Sequence, residues 1–246
     1  MGTTPAAPEA PGPGTPPVRP APAEPRQRWR LVYRRSADAP AASQRDDLTA
    51  WETALVDSGL PVAGLDGPRA RPRLMFGAPL AVGMAAEREM ADIYLTRRCT
   101  IEMVRDALAA RLPGGFELLE LYDVWLGAPP LPAQVVAADY RIRLDPVGPA
   151  GWEVATAAKR LLARGEVLRE RPKGTGKVRY DLRPLVGGIE VIEPGPPVTV
   201  RIRTRFDPQL GAGRPDEVLA ALGDLIGRPC AAVAVVRERL VLAGDT

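Results

Sequence analysis

Two segments in which apolar and arginine side chains alternate constrain the fold of this chain more than any other feature. They are DYRIRLD (139–145) and VTVRIRTRF (198–206). Because successive side chains of a strand point to opposite faces of a sheet, each segment is predicted to be a strand with one apolar face and one arginine face. The arginines concerned are Arg141, Arg143, Arg201, Arg203 and Arg205.

The segments around these strands predict the same order of elements twice. Apolar periodicity, turn residues and helix-capping residues predict β-α-β-β-α-β in each half of the folded chain. The first run is a strand at 28–36, a helix at 45–60, strands at 72–80 and 91–97, a helix at 100–112 and a strand at 115–126. The second run is a strand at 135–144, a helix at 150–164, strands at 188–193 and 198–206, a helix at 215–226 and a strand at 230–242. This order is typical of ferredoxin-like folds, so the prediction is an α+β protein of two tandem ferredoxin-like units.

The chain divides accordingly. Residues 1–27 hold nine of the 28 prolines and almost no large apolar side chain, which predicts a disordered tail. The first unit is expected at 28–127 and the second at 133–246, joined by the linker GAPPLPA. A β-hairpin is expected to interrupt the second unit at 166–182, with glycines at its tip.

In a ferredoxin-like unit the helices cover one face of the sheet and leave the other open, so the alternating arginines are expected to share the open face. Like charges placed side by side on a sheet need anionic partners. RNA phosphates are one such partner, carboxylates of the same chain are another, and a protein interface is a third. Two further groups of cations are expected to suit RNA phosphates. They are Lys173 and Lys177 in the hairpin, and Arg69, Arg71 and Arg73 around Pro72.

Several function classes are excluded by composition. The chain has no histidine, which removes histidine bases and histidine metal ligands. Cys99 and Cys230 are too few for an iron–sulfur cluster held by this chain alone, and they are expected to be free, buried thiols. No spacing of acidic residues indicates a metal or an acid–base pair, and no cofactor is predicted. Trp51 and Trp152 are expected in the core. The absence of a signal-like or membrane-spanning segment predicts a cytoplasmic protein.

Two stretches resemble the signature blocks of a known family. SQRDDLTAWETAL (43–55) and GPRARPRLMFGAPLAVG (67–83) are similar to those of the radical SAM-linked proteins, which are encoded beside, or fused behind, a radical S-adenosylmethionine enzyme. The resemblance implies that such an enzyme is a partner. Where the family carries histidines this chain has Gln44 and Arg71, and Arg71 can still bind an anion, which favours binding over catalysis. The motif positions are Ser43, Gln44, Asp46, Gly67, Pro72, Phe76, Pro79 and Gly83.

These observations predict a non-catalytic accessory protein that binds RNA and works with a radical SAM enzyme or in an RNA- or ribosome-linked process. Two alternatives are a protein–protein adaptor for the enzyme that never contacts nucleic acid, and a metal-independent endoribonuclease of the repeat-RNA-processing type. No residue in the sequence is nominated as the base that an endoribonuclease needs.

Overall fold

The computed structural model describes residues 23–40, 43–66, 70–174 and 176–245. Most of the predicted tail, residues 1–22, therefore lies outside the described residues. The elements of the first half are β1 (Gln27–Arg35), α1 (Gln44–Asp57), β2 (Leu74–Phe76), β3 (Ala85–Leu95), α2 (Ile101–Ala109) and β4 (Phe116–Val124). Those of the second half are α3 (Leu131–Gln134), β5 (Val135–Leu144), α4 (Gly151–Leu162), β6 (Leu168–Lys173), β7 (Gly176–Asp181), a 3-10 turn (Arg183–Leu185), β8 (Val186–Glu193), β9 (Thr199–Asp207), β10 (Gly211–Ala212), α5 (Pro215–Ile226) and β11 (Ala232–Leu242).

The main strands pair in an equivalent way in the two halves. In the first half the order across the sheet is β4-β1-β3-β2, and in the second half it is β11-β5-β9-β8, with every neighbouring pair antiparallel. A short parallel contact between β3 and β11 joins the halves into one nine-stranded sheet of the described residues, which also includes β10. The predicted α+β class is confirmed by this large mixed sheet and the five α-helices of the described ranges.

Each half has its own apolar core between the sheet and its helices. In the first half Trp51 and Leu55 of α1 pack with Val104 and Leu108 of α2 against the sheet. In the second half the buried side of α4 consists of Gly151, Val154, Ala157, Ala158 and Leu161, packed with α5 against β5 and β9. The core prediction is correct for Trp51, which is buried, and wrong for Trp152, which is 73% exposed. Trp152 follows a buried position directly, and one residue along a helix turns the side chain by about 100°.

The segment 72–97 differs most from the prediction. The first predicted strand, 72–80, is reduced to Leu74–Phe76, and the second begins earlier, at Ala85. Prolines at 72 and 79 lack the backbone donor that a longer strand needs. Gly83 adopts φ 70°, which allows the turn that enters β3.

Cys99 and Cys230 are buried free thiols, as predicted. In the described part of the chain no helix is long and apolar enough to cross a membrane.

The predicted linker ends in α3, whose residue Leu131 is buried in the second core. The linker is therefore held against the body of the second half.

Candidate nucleic-acid interface

The open face of the second half carries the alternating arginines, as the periodicity predicts. On β5 and β9 the apolar residues Ile142, Leu144, Val200 and Ile202 are buried toward the helices. Strands β5 and β9 are neighbours, and their register places Arg141 directly opposite Arg201. The same register places Asp139 opposite Arg203, so an acid is already built into this face.

Carboxylates from distant strands neutralise two of these arginines. Glu238 of β11 accepts a hydrogen bond from Arg141 (2.9 Å) and another from Arg201 (2.8 Å). Arg141 also pairs with Glu87 of β3, and Arg201 lies 3.6 Å from Glu190 of β8. The arginines of this region therefore alternate with acids and do not form an uninterrupted positive surface.

Asp139 holds two more guanidinium groups. Arg203 donates to both of its oxygens at 2.6 and 2.8 Å, and Arg239 donates to one at 2.9 Å. Burial acts to raise the pKa of Asp139, but the hydrogen bonds and charges of Arg203 and Arg239 outweigh it and leave the pKa lowered. This group of three residues is called the Asp139 cluster below.

Arg143 and Arg205 differ from the other arginines of this face. Both are exposed, and neither side chain forms a hydrogen bond or ion pair with another described residue. Arg143 lies opposite Thr199, and Arg205 lies opposite Ala137, so no carboxylate faces either of them across the strand. Among the five alternating arginines of β5 and β9, these two can bind an external anion without displacing a partner within the described residues.

The predicted hairpin is present as β6 and β7 and is called the basic hairpin. One of its faces is fixed to α5, because Arg169 pairs with Asp224 (2.6 Å) and Arg171 pairs with Glu217 (3.3 Å). The guanidinium carbon of Arg171 also lies 3.9 Å from the centre of the Tyr180 ring.

The other face of the basic hairpin is exposed and carries Lys177 and Arg179. Lys177 is 75% exposed on its side chain and lies 3.8 Å from Glu170, the residue opposite Arg179. The side chain of Lys173 lies outside the described part of the structure. Two cations are thus displayed on a support that the opposite face holds in place.

The segment of Arg69, Arg71 and Arg73 is only partly described, because Arg69 and Gly67 fall outside it. Arg71 and Arg73 are exposed on either side of the buried Pro72. Arg71 pairs with Glu52 at 3.0 Å, and the guanidinium of Arg73 lies over the ring of Tyr94 at 4.1 Å. Both already have partners within the chain.

The two motif blocks come together and have structural roles. Ser43 and Asp46 form a capping box at the start of α1, and Gln44 is the first residue of that helix. The ring of Phe76 lies 6.0 Å from the ring of Trp51, centre to centre. The carbonyl oxygen of Pro79 accepts a hydrogen bond from Arg237 at 2.7 Å. A recess of about 20 Å³ beside Trp51 has room for about one water molecule.

The buried arginines of the molecule were not predicted from the sequence. Arg28 and Arg30 both bind Asp92, and Arg237 binds Glu89, all of them buried. The signal was present in QRWRLVYRR, where arginines at 28 and 30 alternate with apolar residues as they do in β5 and β9. No group of three or more acidic or cysteine side chains suited to a metal ion is found within the described ranges.

Comparisons with known proteins give a family and a fold. A family model described as "Uncharacterized protein conserved in bacteria (DUF2344)" matches residues 28–214, which is most of the chain. No curated protein sequence matches.

Among solved structures, a chain of a Cbf5–Nop10–Gar1 complex is similar with a TM-score of 0.51 and 12% identity, over 92% of this chain and 55% of that chain. A chain of an H/ACA RNP bound to a substrate RNA containing 2'-deoxyuridine has a TM-score of 0.47 and 11% identity, over 85% of this chain and 47% of that one. The likeness to the first is one of fold alone, and this chain spans about half the length of those it matches.

Proposed function

The chain belongs to the DUF2344 family, and we propose that it is a non-catalytic accessory protein that binds RNA. The observation that carries the proposal is the basic hairpin, whose inner face is fixed to α5 while its outer face displays Arg179, which has no ion pair with a described residue, and Lys177, which is 75% exposed and 3.8 Å from Glu170. Phosphate contacts need charge at a defined position and little else, which this arrangement supplies.

The support of the hairpin matters as much as its charge. A free two-stranded hairpin is at best marginally stable in water, and a mobile cation loses side-chain and backbone entropy when it binds. The Arg169–Asp224 and Arg171–Glu217 pairs and the stacking of Arg171 on Tyr180 reduce that cost before RNA arrives. The anchoring arginines therefore act as positioning residues for the outer cations.

The open face supplies a second set of contacts. Arg143 and Arg205 are free to bind phosphate, whereas Arg141, Arg201 and Arg203 share their charge with internal acids. Those three side chains are still about 40% exposed, so each retains donors that can reach an additional anion. We assign them a weaker role than the two unpaired arginines.

Three finer points belong to the same proposal. The partnership with a radical SAM enzyme is supported by the resemblance of residues 43–55 and 67–83 to the signature blocks of the radical SAM-linked proteins. The description as two tandem ferredoxin-like units is supported by the shared strand order of the halves. A non-catalytic role is supported by Gln44 and Arg71 at the family's histidine positions, and by the use of the Ser43 and Asp46 side chains as the capping box of α1.

The test is equilibrium binding of the full chain to tRNA and to rRNA fragments at two salt concentrations. Replacing Lys177 and Arg179 together with Ala should weaken binding to all of them alike and lower the salt slope by about 1.5, because each lost phosphate contact removes about 0.7–0.9. The matched control is Arg105→Ala, an exposed cation on α2 that should leave binding unchanged. Absence of binding by the unaltered chain at low salt would overturn the proposal and favour the protein adaptor.

A further inference from the structure

Trp125, the residue that follows β4, has an unusual environment. The residue is 78% exposed, and its ring lies close to Gly127. A β-carbon placed on Gly127 would come within 2.5 Å of the six-membered part of the indole ring, so a larger residue at 127 would require the ring to shift. The backbone nitrogen of Ala128 donates to the carbonyl oxygen of Trp125 at 3.0 Å and closes the turn. One face of the ring is therefore supported, and most of the ring surface is open to solvent.

The packing of the chain does not account for this exposure. Trp29 and Trp51 are buried in the first core, as large aromatic side chains usually are. Trp125 is not stabilised by burial in this way, although it directly follows a strand of the same sheet. An exposed aromatic ring that is supported on one side is typical of a surface that binds a partner.

Unpaired arginines lie at the same end of the sheet. In the register of the three strands, Leu95 pairs with Gln27 and Arg28 pairs with Val124, so the end of β3, the start of β1 and the end of β4 are side by side. Arg26, which precedes β1, is exposed, and so are Arg97 and Arg98, which follow β3.

None of these three arginine side chains forms an ion pair within the described part of the chain. Neighbouring strands are about 4.8 Å apart, which places the ends of β3 and β4 about 10 Å from each other. Trp125 therefore follows β4 at the end of the sheet where Arg26, Arg97 and Arg98 are exposed, and the exposed acid Asp123, on the same strand, is bonded to Gln27 at 2.9 Å.

We infer that Trp125 is a stacking platform for an unpaired base of single-stranded RNA, with Arg26, Arg97 and Arg98 contacting the adjoining phosphates. The inference rests on the proposed RNA-binding function and identifies Trp125 as one of the residues that contact the RNA. An indole ring stacks on any base because every base has a π face, and neighbouring cations follow the backbone. An aromatic ring among unpaired arginines fits an anionic aromatic ligand better than it fits an apolar protein surface.

The test is the affinity of the full chain for a fluorescent, unstructured oligouridylate, measured by polarisation. Trp125→Ala should weaken binding about 5- to 150-fold, since loss of a stacked base costs on the order of 1–3 kcal/mol. Trp125→Phe should retain most of the affinity. The matched control is Trp152→Ala, which removes an indole that is as exposed but lies on α4, and it should leave the affinity unchanged.

A second variant tests the platform without removing the ring. Gly127→Ala should weaken binding as well, because the new methyl group displaces the indole from its support. The urea midpoint of each variant confirms that it is folded, and the exposed position of Trp125 predicts no shift for its replacement.

The outcomes are distinct. Equal affinities of the Trp125→Ala, Trp152→Ala and unaltered chains for the oligonucleotide would overturn the stacking site and leave the proposed function standing. Loss of a protein partner on Trp125→Ala, with RNA affinity unchanged, would also overturn it. Failure of the unaltered chain to bind any RNA would overturn both.

Discussion

Each half of the molecule contains a cluster of one aspartate and two arginines, and the two clusters lie on different strands and in different surroundings. Asp92 on β3 binds Arg28 and Arg30 in the first half, just as Asp139 on β5 binds Arg203 and Arg239 in the second. In the first half the side chain of Arg28 is only 1% exposed, whereas that of Arg203 is 40% exposed. The group of Asp92, Arg28 and Arg30 is called the Asp92 cluster.

The linker between the halves accounts for the difference. The carbonyl oxygens of Ala128 and Pro129 accept hydrogen bonds from Arg28, at 2.9 and 3.0 Å, so the linker covers the Asp92 cluster. No segment of the described chain accepts a hydrogen bond from Arg203 other than Asp139 itself. The same pairing of residues is therefore part of the interior in one half and part of a surface in the other, where a ligand can reach it.

The largest expected loss of stability comes from removing the charge of Asp92, the central acid of the Asp92 cluster. Asp92→Asn leaves two buried guanidinium groups without a counter-charge, and breaking a buried pair in this way costs about 3–5 kcal/mol. We expect the free energy of unfolding, measured by urea denaturation, to fall by that amount.

The control for this change is Glu120→Gln, which removes the acid of the exposed Arg88–Glu120 pair and should cost less than about 1 kcal/mol. If Asp92→Asn cost no more than this control, the Asp92 cluster would not be the structural element that its burial indicates.

A smaller loss of stability is expected for the Asp139 cluster. Asp139→Asn should lower the free energy of unfolding at neutral pH by about 1–2 kcal/mol, since hydrogen bonds to a charged group are weakened but water can solvate Arg203 and Arg239. The lost charge also makes the open face more positive, so RNA affinity should rise if that face contacts phosphate.

The pH dependence sharpens this prediction. The pKa of Asp139 is lowered in the folded chain, so its contribution to stability is present above its unfolded value of about 3.9 and is lost as the pH falls through the folded value. The stability difference between the unaltered chain and Asp139→Asn should be constant above about pH 5 and should shrink below about pH 4. A difference that stays the same down to the acid limit would contradict the assignment.

The smallest effect on stability is expected for Arg143 and Arg205, whose side chains have no partner among the described residues. Replacing Arg143 and Arg205 together with Ala should change the free energy of unfolding by less than about 0.5 kcal/mol, because neither side chain has a partner to lose. The same double variant should bind RNA more weakly and with a lower salt slope. Unchanged RNA binding would exclude Arg143 and Arg205 as phosphate contacts and leave the basic hairpin and the arginines near Trp125 to supply them.

Local sequence patterns were sufficient for the element types and for much of the element order. The helix predicted at 215–226 and the strands around 135–144 and 198–206 were found within a residue or two, because each has a clear periodicity and clear boundary residues. The segment around β2 was less predictable, since its prolines and glycines mark turns without specifying how short a strand between them becomes.

The sequence by itself determined which side of β5 and of β9 the arginines occupy, because the alternation of side chains along a regular strand depends only on neighbouring residues. It did not determine what each arginine meets. Glu238 lies 97 residues from Arg141, and Asp92 lies 64 residues from Arg28, so these pairs exist only once distant strands align in register. Whether an arginine is an internal support or an available contact was decided by the tertiary structure, through the carboxylate that register places opposite it and the segment that covers the pair.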